Sequence, residues 1–290
     1  MKPVAFTYHR AASVAEACAL LQADPESVLM AGGQSLMPLL AMRLARPTQV
    51  IDILRLPGLD AIAVTDTQVT LGATVRQAAV EHSVVVAREL PLLFRAMPWV
   101  GHPPNRRRGT VGGSIANGDA TAEIGLVAVA LGADVLLAGD GHIPAQDFFL
   151  GPMFTALPPG TMVMGLRFPR RAAGRNGTGF AEIAQRHGDY AMAAVGVDLA
   201  LDDDGACRSM QLAVGGAAAM PIRLDLHGLH GTRLDPANVR DAMHEELRGV
   251  DMIEDPNTTG SYRRRVAVAL AMQAVAQAVA EARAAAETLH

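Results

Sequence analysis

Two pairs of adjacent glycines, far apart in the chain, limit what this sequence can fold into. The first lies in AGGQSL at residues 31–36, and the second lies in TVGGSIA at residues 110–116. We predict that each segment forms a loop. Because glycine adopts left-handed dihedral angles at little steric cost, such a loop can turn successive backbone N–H groups toward one point. The resulting concavity binds a phosphate group without a lysine. Two segments of matching design predict one ligand with two phosphates, held from both sides.

The polar residues beside the glycines support an anion site. Gln34 and Ser35 follow the first pair, and Thr110 and Ser114 flank the second, so each segment adds side-chain donors. For either pair alone, a tight turn is the alternative interpretation. No G-x-G-x-x-G opens a strand–helix unit, and no G-x-x-x-x-G-K-[ST] is present. Motifs of zinc sites, dithiols and hydrolases (H-E-x-x-H, C-x-x-C, G-x-S-x-G) are also missing, so we expect no metal site in this chain.

Composition narrows the class of protein. The chain has 290 residues, of which 50% are hydrophobic, with a net charge of −4; these values are typical of a globular protein and give no basic footprint for nucleic acid. Two cysteines, Cys18 and Cys207, are too few to hold an iron–sulfur cluster. Without a signal peptide or an uninterrupted apolar stretch of about 18 residues, we expect a cytoplasmic protein with no membrane span.

The order of elements predicts an α+β chain. Ser13 and Glu16 form a capping box that begins a helix, and short apolar runs at 27–31 and 49–53 predict two strands that pair in parallel. Alternation over 61–73 predicts a hairpin, and Thr74 predicts the cap of a following helix. A loop rich in glycine and arginine at 170–179 indicates a domain boundary. From residue 261 onward an alanine-rich pattern predicts a long helix.

Four segments together carry a resemblance to a known family. The sequence resembles the FAD-binding medium subunit of molybdenum hydroxylases, the xanthine dehydrogenase family, and in particular the medium chains of aerobic carbon monoxide, nicotine and caffeine dehydrogenases. The segments are AGGQSL…RLARP…IDI (31–53), GHPPNRRRGTVGGSIANGDATAEI (101–124), FAEIAQRHGDYAMAAVGV (180–197) and SYRRRVAVAL (261–270).

The resemblance implies a fold and a set of domains. It implies an α+β protein with a two-lobed FAD-binding domain of the vanillyl-alcohol-oxidase (PCMH) type at residues 1–172, with lobes at about 1–57 and 58–172. A C-terminal domain of antiparallel sheet and helices would follow at residues 173–290.

The resemblance also implies a function. This chain would bind FAD and pass electrons from [2Fe–2S] clusters on a small partner subunit to an external acceptor. Substrate would be hydroxylated at a molybdopterin centre on a large subunit, and the assembly would be a dimer of heterotrimers. The flavin would carry the electron transfer, so no side chain is expected to be catalytic.

Residues matching the family's motifs are the expected cofactor contacts. The resemblance places Glu123 and, less directly, Asp119 at the ribityl or adenosine part of FAD; a solvated carboxylate is the alternative for Glu123. It places Tyr190 near the flavin ring as a possible shield, with ordinary strand packing as the alternative. One arginine of 106–108 is a further candidate for contact with phosphate or a partner. The expected cofactor-binding residues are Ala31, Gly32, Gly33, Gln34, Ser35, Leu36, Thr110, Val111, Gly112, Gly113, Ser114, Asn117, Asp119, Glu123 and Tyr190.

Two other functions remain open on the sequence. A self-sufficient flavin oxidase of the same superfamily would need catalytic residues in its second part, where no acid–base cluster is evident. A binding module that has lost the cofactor would have no need of both glycine pairs.

Overall fold

The first lobe is a small α/β fold. The computed structural model describes residues 2–256 and 258–287. Three parallel strands form a sheet of order β1-β3-β2, which confirms the predicted parallel pairing. Its elements are β1 (Thr7–Arg10), α1 (Val14–Ala23), β2 (Val28–Met30), α2 (Leu36–Ala41) and β3 (Gln49–Asp52).

The start of α1 confirms the predicted cap. The Ser13 Oγ accepts a hydrogen bond from the Glu16 backbone N–H at 3.1 Å, and the Glu16 carboxylate accepts one from the Ala12 N–H at 2.7 Å. These bonds satisfy N–H groups that have no partner within the helix.

The second lobe surrounds a five-stranded antiparallel sheet of order β4-β5-β10-β6-β7. The predicted hairpin at 61–73 is confirmed as β4 and β5. The strands of this lobe, including the separate pair of β8 and β9, are β4 (Ile62–Val64), β5 (Gln68–Gly72), β6 (Asp134–Leu137), β7 (His142–Pro144), β8 (Phe149–Gly151), β9 (Phe154–Thr155) and β10 (Val163–Pro169). The helices are α3 (Gln77–Glu81), α4 (Val84–Glu89), α5 (Pro91–Ala96), α6 (Pro103–Arg108), α7 (Val111–Asn117), α8 (Glu123–Ala130) and α9 (Ala145–Phe148).

The predicted Thr74 cap is wrong. The following helix, α3, begins two residues later than expected, with Arg76 at its N-cap. Thr74 instead lies in a turn after β5, where its N–H donates to Leu59 O at 2.8 Å, and Arg76 is extended and forms an antiparallel bridge with Thr110. Both partners are distant in sequence, so no local pattern indicates them.

The two lobes together are called the first unit, and the remainder of the chain is called the second unit. The second unit is a four-stranded antiparallel sheet of order β11-β12-β13-β14 covered by helices. The segment 170–179 is a loop only in its first half, because β11 begins at Arg175. The elements are β11 (Arg175–Ile183), β12 (Ala193–Leu201), β13 (Cys207–Gly215), β14 (Ile222–Arg223), α10 (Pro236–Leu247) and α11 (Gly260–Glu287).

Helix α11 is a core helix of this second unit. Its length and apolar composition alone would allow it to cross a membrane, but 44% of its apolar window is buried within the protein. It lies so close to β11 that a Cβ atom at Gly177 or Gly179 would come within 2 Å of a helix carbonyl oxygen. The helix therefore packs on the sheet by way of glycines.

The two faces of the second sheet have different neighbours. Ala181 and Val195 face α11, whereas Phe180 and Ala194 belong to the apolar core of the second lobe. Side chains alternate between the faces of a strand, so every second residue of β11 points toward the first unit. The contact surface between the second sheet and the second lobe is called the junction, and it lies beside helix α8.

Candidate functional site

The first glycine segment connects β2 to α2. Gly33 has φ +70°, a conformation that side chains other than glycine rarely adopt, and its carbonyl accepts from Met37 N–H at 3.0 Å as α2 begins. The Gln34 side-chain amide donates to Gly32 O at 3.2 Å. Ser35 is exposed and its hydroxyl makes no capping bond, so it remains available to a ligand.

The second glycine segment is the first turn of helix α7, and its interpretation as a loop is wrong. Thr110 caps this helix, because its Oγ1 accepts from Gly113 N–H at 3.2 Å. Gly112 N–H donates to Ala73 O at 2.9 Å, and a Cβ at Gly112 would lie 2.6 Å from the Ala73 Cβ. The glycines thus allow a helix turn to lie against the chain after β5, where a loop had been expected.

The two glycine segments lie next to each other. A Cβ at Gly32 would lie 2.3 Å from the Arg108 carbonyl oxygen, and one at Gly113 would lie 3.9 Å from the Ala31 Cβ. The Asn105 side-chain amide donates to Gln34 Oε1 at 3.4 Å. Residues about 80 apart in sequence therefore form one locus. This is the arrangement that a clamp on a diphosphate requires.

A cavity of about 490 Å³ opens at this locus. Residues 31–33 of the first glycine segment contribute to its wall together with Arg76 and Arg108, whose positive charges favour an anion in the cavity. The Arg76 guanidinium also donates to the Arg108 carbonyl. Burial is the main cause that lowers the pKa of Arg76, followed by the charge of Arg108. The lining residues are Met30, Ala31, Gly32, Gly33, Met37, Asp52, Leu54, Arg76 and Arg108.

Arg76 and Asp52 are site residues that sequence reasoning missed. Asp52 ends β3, where its carboxylate accepts from Tyr8 O–H at 2.5 Å and from Leu54 N–H at 2.8 Å. The only signal for Asp52 was its place at the end of a predicted strand. Arg76 gave no signal, since its position depends on the bridge to Thr110.

The arginine run 106–108 divides into three roles. Arg106 is buried and forms two bonds of 2.7 Å with the Glu81 carboxylate, which lowers the pKa of Glu81. Arg107 is exposed, and Arg108 lines the cavity. Arg108 is therefore the member of the run that lies at the candidate site.

The turn from α7 to α8 carries the remaining candidates of the first unit. Asn117 ends α7, and the Asp119 carboxylate accepts from Thr121 N–H at 2.9 Å and Thr121 O–H at 2.7 Å. Glu123 begins α8 and is 7% exposed, so the alternative of a solvated carboxylate is wrong. Burial, and then the charge of Asp119, raise the pKa of Glu123 to about 7.

Tyr190 lies apart from the glycine segments, in the loop between β11 and β12. It is 78% exposed, which excludes ordinary strand packing as its role. Its loop lies against the second lobe: the ring of His187 meets Trp99 edge-on at 4.9 Å, and a Cβ at Gly188 would lie 2.7 Å from His102 Nδ1. The loop is thus held just before α6.

Two family models match the chain. The model described as the FAD binding domain in molybdopterin dehydrogenase matches residues 4–171, and that of the CO dehydrogenase flavoprotein C-terminal domain matches residues 178–278. Among known proteins, the chain is similar to the nicotine 6-hydroxylase medium subunit of Paenarthrobacter nicotinovorans, with 36% identity over 96% of this chain and 99% of the relative. The 6-hydroxypseudooxynicotine dehydrogenase complex subunit alpha of the same organism is 34% identical, over 98% and 97%.

The fold is also similar to that of a solved structure. A chain of CO dehydrogenase from Oligotropha carboxidovorans has a TM-score of 0.92 at 31% identity, covering 97% of this chain and 100% of that chain. The predicted α+β fold is confirmed over essentially the full length.

Proposed function

Since the chain belongs to the FAD-binding medium subunits of the molybdenum hydroxylases, we propose that its two glycine segments hold the FAD diphosphate between them. Complexes of this family hydroxylate substrate at a molybdopterin centre, and their medium subunit carries electrons from partner [2Fe–2S] clusters through FAD to an acceptor. The observation that carries the proposal is the contact between the two segments: residues 31–33 and Arg108 line one cavity, and a Cβ at Gly113 would lie 3.9 Å from the Ala31 Cβ.

The residues present fit this cofactor. Residues 31–33 lie in the cavity wall, with Gly33 in a left-handed conformation, and Arg76 and Arg108 supply positive charge in the same wall. Bound FAD supplies electron exchange, and the protein supplies its position and electrostatic surroundings. In the described part of the chain, no group of three His, Cys, Asp or Glu residues could hold a metal ion.

The remaining candidate residues receive roles along the cofactor. We assign Ala31 to Leu36 and Thr110 to Ser114 to the diphosphate, and Asn117, Asp119 and Glu123 to the ribityl or adenosine part. We assign Tyr190 to the flavin ring as a cover, and its exposure on a loop that lies against His102 supports this assignment. These assignments are supported by the family motifs and by the positions of the side chains.

The assembly follows from the same membership. We propose a FAD-binding domain at 1–172, with lobes at 1–57 and 58–172, and a C-terminal domain at 173–290, supported by family matches that end at 171 and resume at 178. We further propose a cytoplasmic dimer of heterotrimers, with a small iron–sulfur subunit, a large molybdopterin subunit and an external electron acceptor.

Two alternative functions predict different behaviour. A self-sufficient flavin oxidase would turn over substrate without partners, and a binding module would lack FAD. We therefore expect the purified complex to contain one FAD per copy of this chain, and the chain alone, loaded with FAD, to oxidise none of the complex's substrates. A folded wild-type chain without flavin absorbance would contradict the proposal.

A further inference from the structure

Glu182 is a buried carboxyl group for which the FAD site described above has no use. It lies on β11 opposite Ala194, on the same strand face as Phe180, so it points from the second unit toward the first. The residue is 8% exposed, and neither carboxyl oxygen has a hydrogen-bond partner among residues 2–256 and 258–287. An orphaned carboxyl group of this kind is costly unless it carries a proton.

Glu123 is the charged group that acts on Glu182 from across the junction. Burial, and then the charge of Glu123, raise the pKa of Glu182 to about 9, whereas the pKa of Glu123 is about 7. Glu123 therefore ionises first, and its charge then opposes the ionisation of Glu182. Between about pH 7 and about pH 9 the pair therefore consists mainly of one carboxylate, at Glu123, and one neutral acid, at Glu182.

Other charged groups near the junction are already engaged. Arg106 from α6 bonds to Glu81, and Arg95 from α5 bonds to Glu281 at 2.6 Å. On the opposite face of the sheet, Arg263 from α11 donates to the carbonyls of Met192 and Gly216. Asp119 adds negative charge beside Glu123. The described residues thus offer no counter-ion to a Glu182 carboxylate.

A hydrogen bond and a packing contact connect the junction to the turn that carries Glu123. Gly216 N–H, just after β13, donates to Ala120 O at 2.9 Å, and the side chain of Leu126 on α8 lies 3.3 Å from where a Gly215 Cβ would be. A change in how the second sheet packs against α8 would therefore move residues 117–123. Glu182 itself is shielded from the cavity, since both of its oxygens are inaccessible to solvent.

We propose that Glu182 is a positioning residue for the cofactor: its neutral carboxylic acid lets the second sheet close behind Glu123 and so holds the 117–123 turn at FAD. A negative charge on Glu182 would repel Glu123 within a closed junction and displace this turn. The inference rests on the proposed function, because it takes residues 117–123 to contact FAD.

The test is the pH dependence of FAD binding by the full chain in its complex. FAD is removed and added back, and its Kd is measured by flavin fluorescence between pH 6 and 10. In the wild type we expect Kd to rise by up to about tenfold per pH unit above about pH 9, because binding then requires one proton on Glu182. Glu182→Gln, which stays neutral, should keep the Kd at pH 7 and lose this alkaline rise. Glu26→Gln, at an exposed site, should behave as the wild type.

A second variant tests the pairing and does not depend on the folding of the first. In Glu123→Gln, the charge that an ionised Glu182 would repel is gone, so the alkaline rise should shrink. A full wild-type rise in Glu182→Gln or in Glu123→Gln would overturn the inference while leaving the proposed function intact. A wild-type chain that binds no FAD at any pH would instead overturn the proposed function.

Discussion

At the scale of single residues, the four glycines of the two pairs have two different roles. Gly32 and Gly112 have no room for a Cβ, because Arg108 O and Ala73 lie against them, so they let the segments pack. Gly33 has a left-handed φ, and Gly113 faces its own cap, Thr110. Packing at Gly32 and Gly112 therefore brings the two segments together, and Gly33 lies in the wall of the cavity.

Gly33→Ala tests whether the conformation of residue 33 matters for FAD or only for folding. An alanine with left-handed φ costs about 1–2 kcal/mol. Gly205→Ala is a matched control, since Gly205 has φ +78° and open space around it in a turn of the second unit. Both variants should lose similar thermal stability, but only Gly33→Ala should weaken FAD binding, by tenfold or more. Equal FAD affinity in the two variants would show that residue 33 does not contact the cofactor.

Arg76→Ala tests the cationic wall of the cavity. A hydrogen bond to a charged group contributes about 1.5–3 kcal/mol, so loss of Arg76 should raise the Kd for FAD about tenfold to a hundredfold. Arg107→Ala removes an exposed guanidinium of the neighbouring run and should leave the Kd unchanged. Fluorescence titration of the FAD-free chain measures both, and equal Kd values would remove Arg76 from the site.

At the scale of elements, patterns confined to a few residues were predictable and long-range contacts were not. The α1 cap, the parallel β2 and β3 pair and the hairpin of β4 and β5 depend on neighbours within about 25 residues, and all three are confirmed. The start of α3 and the helical character of TVGG depend on Leu59, Ala73 and the Arg76–Thr110 bridge. Arg76 and Glu182 escaped notice for the same reason, since only the fold gives them a role.

The packing of α11 on β11 allows a prediction at this scale. Gly179→Ala would place a Cβ 1.9 Å from Ala274 O and push the helix off the sheet, at a cost of about 1–3 kcal/mol. Gly249→Ala, with nothing within 4 Å of its added Cβ, is the control. We expect thermal unfolding of Gly179→Ala at a clearly lower Tm than that of Gly249→Ala. Equal Tm values would contradict the close contact of helix and sheet.

At the scale of the whole molecule, the chain is a binding platform joined from two units. The family motifs made its fold and cofactor predictable from sequence, because two glycine pairs and the GDYA segment occur in the expected order. The first unit supplies both glycine segments, and the second supplies the Tyr190 loop and the sheet behind Glu123.

The most direct test of the central claim is the FAD content of the assembled complex. We compare the wild type with the double variant Gly33→Ala/Gly113→Val by releasing the flavin and counting it per copy of this chain. We expect one FAD in the wild type and none in the double variant, with the complex assembled and the second unit folded in both. Stoichiometric FAD in the double variant would contradict the proposal that the two glycine segments hold the cofactor.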